Sequence, residues 1–218
     1  MLSLRFKNTS SRVDRLRNIV EQIRRVPANE ALSPMLLTRL VFAWGNFGYS
    51  ASIRYLQQID RLFRSSEGAV LECGSGASTL LLALLAEKYD RHAWSFENHE
   101  EWGLHVREVI AELELSRLTV CHTPLHNYGE YDWYELPGCP LPRDFGLVVC
   151  DGPPGTIQGG RYGLMPVMGE YLRPDCRILL DDTNRRKEKE LIERWAGEMK
   201  LNSIPLGSTG RCTEIAFA

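Results

Sequence analysis

The chain has 218 residues and a formal net charge of −2, with 44% hydrophobic and 25% charged residues, the length and balance of one soluble domain or of one domain with an appendage. Near-neutral charge offers no global field for nucleic acid, and no run approaches the roughly 18 apolar residues of a membrane span. The N-terminus lacks the apolar core of a signal peptide, and the six cysteines make no Cys-x-x-Cys pair, so the chain reads as cytoplasmic with reduced thiols.

Residues 1–66 read as an N-terminal helical extension. Between Arg5 and Arg25 seven Lys/Arg face only Asp14 and Glu21, while Val13, Leu16, Ile19, Val20 and Ile23 recur at helical spacing. The basic face is a solvated surface, a homodimer contact or a site for an anionic surface. Pro27 and Ser33-Pro34 punctuate, a second helix runs from Pro34 to Ala43, and a third from Ser50 to Phe63. Trp44 to Tyr49 is expected to form a loop able to close over a ligand.

From residue 67 to 218, strands and helices alternate. Strands are expected at 69–73, 92–96, 117–121, 145–150, 176–181, 200–205 and 212–217, and helices at 77–88, 99–114, 160–172 and 185–199. That order argues for an α/β, Rossmann-like three-layer sandwich around a seven-stranded, mostly parallel sheet. The last two strands are separated only by Gly207-Ser208-Thr209-Gly210, too short for a crossover helix, and should pair antiparallel.

The first strand leads into Glu72-Cys73-Gly74-Ser75-Gly76-Ala77-Ser78-Thr79 and then an apolar helix. Two glycines let the backbone turn tightly and a ligand approach it. A helix starting there aims unpaired N–H groups and a positive dipole end at the turn, a nucleotide-type cofactor site. Glu97 ends the second strand, 21 residues beyond Gly76, where a carboxylate can hold a ribose diol. Asn98 with Glu101 makes a capping-box-like start for the next helix. The dinucleotide fingerprint is not met, because Thr79 stands where its third glycine belongs.

Further along, the segment His122 to Pro142 carries His126, Tyr128, Tyr131, Trp133 and Tyr134. It is either a cover for the adenine or an aromatic acceptor, or a packed surface flap. Asp151-Gly152-Pro153-Pro154 follows the fourth core strand and Asp181-Asp182 the fifth, so acids stand at several strand ends of one crevice. Asp182 or Thr183 also suits a helix cap. An adjacent acid pair, if buried, needs a positive charge nearby, and Mg2+ held by oxygen ligands is one way to supply it. Asp151 and His126 are the candidate proton acceptors, and Arg161 at a helix start is placed to hold an anionic acceptor group.

Apolar–Glu–x–Gly–x–Gly resembles motif I of the class I S-adenosylmethionine-dependent methyltransferases, and the likeness extends from about Ala69 to the C-terminus. It is closest to the small-molecule O-methyltransferase branches. The resemblance implies sheet order 3-2-1-4-5-7-6 with the last strand antiparallel. It implies that Glu72, Gly74 and Gly76 line the methionine end of S-adenosyl-L-methionine and that Glu97 holds the ribose. Ser75, Ser78, Thr79, Asn98 and Asp151 complete the candidate cofactor set. Metal-dependent O-methyltransferases are similar in their strand-end acids, which makes Asp151, Asp181 and Asp182 candidate Mg2+ ligands. The expected function is therefore O-methylation of a small-molecule hydroxyl. The alternatives are a nicotinamide-dependent oxidoreductase, a nucleic-acid methyltransferase and a non-catalytic Rossmann-like binding module.

Overall fold

The structure, a computed structural model, describes residues 9–45, 51–207 and 210–218. Most of the expected loop at 44–49 and the middle of the expected turn at 207–210 lie outside the described residues. Among the described residues no helix is long and apolar enough to cross a membrane.

Helix α1 spans Thr9–Arg25 and buries Leu16, Ile19, Val20 and Ile23, the stripe the sequence spacing predicts. Helix α2 (Pro34–Trp44) starts with proline behind Ser33, whose hydroxyl accepts from the Leu36 N–H, and ends at Gly45 with φ 80°. Helix α3 (Ile53–Ser65) starts in the same way, with Ser52 accepting from the Tyr55 N–H. Then follow β1 (Ala69–Cys73), α4 (Ala77–Lys88), β2 (Ala93–Glu97), α5 (Glu100–Glu112) and β3 (Leu118–His122). A hairpin of β4 (Leu125–Asn127) and β5 (Asp132–Tyr134) precedes β6 (Phe145–Cys150). The chain closes with α6 (Leu164–Met168), β7 (Leu172–Leu180), α7 (Arg186–Glu198), β8 (Leu201–Leu206) and β9 (Cys212–Phe217).

Seven strands form one sheet in the order β3-β2-β1-β6-β7-β9-β8, with β9 antiparallel to both of its neighbours. Counting core strands alone, this is the 3-2-1-4-5-7-6 order implied by the resemblance. Strands β1 and β6 are buried along their whole length, as central parallel strands are. Their side chains alternate between two cores. Val70, Leu147 and Val149 join the core under α1–α5, while Leu71, Val148 and Cys150 join the core under the hairpin, α6 and α7. The N-terminal helices therefore bury their apolar stripes in the same core as α4.

Polar contacts lock that union. Lys88 Nζ donates to the Ile23 and Val26 carbonyls at 2.8 and 2.6 Å, closing the end of α1. Arg91 does the same for α3 through the Phe63, Ser66 and Gly68 carbonyls. Lys88→Met should cost about 1 kcal/mol, the worth of a capping contact. In a chain of this size that lowers Tm by roughly 2–4 °C. A melting curve identical to the parent's would remove Lys88 from this role.

Three expectations are corrected. The helix expected at 160–172 shrinks to Leu164–Met168 and a 3-10 turn at Gly169–Tyr171, because Gly159 and Gly160 take φ of 72° and 55°. The fifth core strand starts at Leu172 rather than 176, extending along β6 with a register shift. The segment at 122–142 contains the β4–β5 hairpin, whose two three-residue strands are too short to carry a period.

Candidate cofactor and acceptor site

Gly74 has φ 89°, and a Cβ there would lie 2.8 Å from the Gly152 nitrogen, so the ends of β1 and β6 meet backbone to backbone. The Cys73 carbonyl accepts from both Asp151 N–H (3.0 Å) and Gly152 N–H (2.6 Å). Gly76 is different: its φ of 175° is ordinary extended backbone, and a Cβ there would meet nothing within 4 Å. The start of α4 thus opens onto free space.

Glu72 lies beneath this turn, fully buried. Its Oε2 accepts from Thr79 Oγ1 at 2.6 Å and Ser95 Oγ at 2.5 Å, and Thr79 Oγ1 accepts in turn from the Gly76 N–H at 2.7 Å. Ser78, also buried, stands near the same carboxylate and favours its charged form. Glu72, Ser78 and Thr79 accordingly build the turn from below. Burial pushes the Glu72 carboxyl up to about 7, against the lowering by Ser78, Ser95 and Thr79.

Glu97, only 6% exposed, ties the top of the turn. Its Oε2 accepts from the Ser75 N–H (3.0 Å) and Ser75 Oγ (2.6 Å), and its Oε1 from the His99 N–H (2.8 Å). Trp102 Nε1 donates to the Ser75 carbonyl at 3.0 Å. Because Glu97 holds the His99 N–H, the chain enters α5 one residue later than expected. The cap is His99, whose Nδ1 accepts from the Trp102 N–H, and not Asn98, which is half-buried beside it.

At the ends of β6 and β7 the three acids gather around a cation that the chain itself supplies. Arg161, 2% exposed, donates from Nη1 to the Asp181 carbonyl (2.6 Å). Its Nη2 donates to the Asp151 carbonyl and lies 3.1 Å from Asp151 Oδ1 and 3.4 Å from Asp182 Oδ2. Arg185 pairs with Asp182 at 2.9 Å, and Arg211 stands 3.8 and 3.9 Å from Asp181 and Asp182. The expected Mg2+ set is thereby corrected: among the described residues no group of three His, Cys, Asp or Glu could hold a metal ion. Guanidinium groups already pair with the Asp151 and Asp182 carboxylates and supply the positive charge those two acids need. The same arrangement places Arg161, expected to hold an anionic acceptor group, in contact with Asp151 and Asp182 instead. Burial and the nearby Asp151 raise the Asp181 carboxyl to about 7, and burial with Asp182 raises that of Asp151 against Arg161.

Helix capping does not explain the acid pair either. The residue before α7 is Arg185, without a side-chain cap, while Thr183 Oγ1 donates to the Gly210 carbonyl and accepts from Thr213. His126 stands exposed on the hairpin, 4.9 Å from the Tyr128 ring. Among the described residues it makes no hydrogen bond or ion pair with the strand-end acids. Trp133 and Tyr134 are buried in the core, whereas Tyr128 stacks on Tyr131 at 5.4 Å nearer the surface. Sequence reasoning misses Tyr55 of α3, which is fully buried and donates to the Leu179 carbonyl at 3.3 Å.

No protein-family model matches the chain, and no curated protein matches it in sequence. Solved structures do share its fold. A Podospora anserina methyltransferase, PaMTH1, bound to S-adenosylhomocysteine, is similar with a TM-score of 0.62 at 14% identity over 97% of each chain. The N-terminal domain of human METTL16, also in complex with S-adenosylhomocysteine, gives 0.55 at 13% identity over 100% of this chain and 98% of that one. A putative O-methyltransferase from Klebsiella pneumoniae gives 0.50 at 18% identity over 98% and 92%. The chain has the Rossmann-like fold of these methyltransferases.

Proposed function

We propose that the chain is an S-adenosylmethionine-dependent methyltransferase acting on the hydroxyl of a small molecule. The observation that carries this reading is the junction of the open Gly76 turn with the buried Glu97 carboxylate at the carboxyl ends of adjacent strands. Two similar folds bound to S-adenosylhomocysteine support it. When bound, the cofactor supplies a positively charged sulfonium whose methyl group is the electrophile.

The chain's own residues then have separable tasks. Glu97 accepts from a ribose diol. Ser75 and Gly76 offer close backbone approach, and the first N–H groups of α4 supply the positive end of a helix dipole. Asp151, at the end of β6 and partly open to solvent, takes the proton that an acceptor hydroxyl must lose. Holding the two reactants in place is worth roughly 7–11 kcal/mol of barrier where alignment is good. A nicotinamide reading lacks support at the same turn, because Thr79 lies under it, hydrogen-bonded to Glu72, in place of a close-packing glycine.

Isothermal calorimetry decides between these readings. One saturable site for S-adenosylmethionine is expected, together with no heat from NADH over the same range. Binding of NADH in place of S-adenosylmethionine would overturn the assignment.

A further inference from the structure

The basic face of α1 takes no part in the cofactor site. Between Arg5 and Arg25 seven cations stand against two acids, and both acids are already held: Asp14 by Arg17 at 3.6 Å, Glu21 by Arg24 at 2.9 Å. Arg15, Asn18, Gln22 and Arg25 follow one another along α1 at helical spacing, and none is buried. Arg25 is exposed and has no acid partner among the described residues.

Helix α2 continues this face and carries no acid. Its Arg39 donates from Nη1 to Gln22 Oε1 at 2.6 Å, which sets the two rows side by side. Met35 lies four residues before Arg39 and Phe42 three residues after it, on the same side of α2. At 72% and 64% they are the two most exposed large apolar side chains among the described residues. Such residues scattered singly need no explanation, but two on one helix face with a cation between them mark a contact surface.

The chemistry of the face selects the partner. A twofold pairing of Met35 with Phe42 in a second copy would set Arg39 against its own image, a like-charge contact. A nucleic-acid strand meets the arginines and stacks a base on Phe42, yet leaves Met35 in water. An anionic bilayer uses every element: the apolar tips enter the acyl boundary while arginines reach headgroup phosphates. Residues 1–8, just before α1, add Leu2, Leu4 and Phe6 beside Arg5 and Lys7, the same mixture. We infer that the α1–α2 face is a peripheral membrane contact selective for anionic phospholipid, with Met35 and Phe42 inserting and Arg25 and Arg39 holding headgroups. This inference stands apart from the methyl-transfer reading.

Flotation of the full chain with lipid vesicles tests it. Phosphatidylcholine vesicles containing one third phosphatidylserine should bind at least tenfold more tightly than phosphatidylcholine alone, and added salt should weaken the binding. Met35→Ser with Phe42→Ser should lower affinity for the anionic vesicles at least tenfold. Arg25→Glu with Arg39→Glu should do the same. All four side chains are exposed, so both variants should melt with the parent. Equal binding to neutral and anionic vesicles, or either variant floating like the parent, would overturn the inference. So would tighter binding of a single-stranded oligonucleotide than of vesicles, or a concentration-dependent dimer that the double serine variant disperses.

Discussion

Glu97→Gln should raise the Kd for S-adenosylmethionine by roughly 10- to 100-fold and leave the fold standing. Hydrogen bonds to an ionised group contribute about 1.5–3 kcal/mol each, and each 1.4 kcal/mol is a factor of ten in affinity. The glutamate already uses Oε2 on the Ser75 N–H and hydroxyl and Oε1 on the His99 N–H, so Oε1 retains a further lone pair for a ribose hydroxyl. An amide keeps only one acceptor, so a ribose diol and the turn would compete for it. Ser75→Ala separates the two roles. It deletes the 2.6 Å hydroxyl contact to Glu97 without touching the carboxylate, so affinity should stay within about threefold of the parent. Equal losses in both variants would mean that Glu97 serves only to brace the turn.

Local rules make much of this site legible in the sequence. Gly74 needs its positive φ, Ser33-Pro34 marks a helix start, and the uniformly apolar run before Asp151 is a central strand. Strand ends carry acids because the topology brings carboxyl ends together, a property of alternation that periodicity alone reveals. What stayed hidden depends on contacts distant in sequence. Arg161 reads as a helix-start cation for an anionic group until β6 and β7 fold against it, and only then is it buried among Asp151, Asp181 and Asp182. The metal expectation failed for that reason: a need for positive charge is visible in two adjacent acids, whereas its source lies 20 residues away from Asp181. Tyr55 was invisible in the same way, since nothing in its own helix signals a partner 124 residues on.

Glu72 gives a second large effect, and its sign follows from burial. The carboxyl titrates near 4.5 when unfolded and at about 7 in the fold, so between those values the native state holds a proton that the unfolded chain has released. Native stability is therefore fully present below about 4.5 and falls as pH rises through about 7. The displacement corresponds to a loss on the order of 3 kcal/mol by pH 8. Asp181, also raised to about 7, contributes a slope of the same sign, which makes the parent–variant difference the quantity to measure. Glu72→Gln should remove one of these two slopes. Its carbonyl can still accept from Thr79 and Ser95, but its amide nitrogen replaces an oxygen that has no partner, at a cost of about 1–3 kcal/mol. At pH 5 the variant should therefore melt below the parent. By pH 8 the gap should close or reverse, because only the parent then carries a buried carboxylate ion under the Gly76 turn. Urea unfolding at pH 5, 6, 7 and 8 reads the difference directly. Curves that stay parallel across the whole range would show that Glu72 is ionised throughout, with the hydroxyls of Thr79 and Ser95 sufficient to hold its charge.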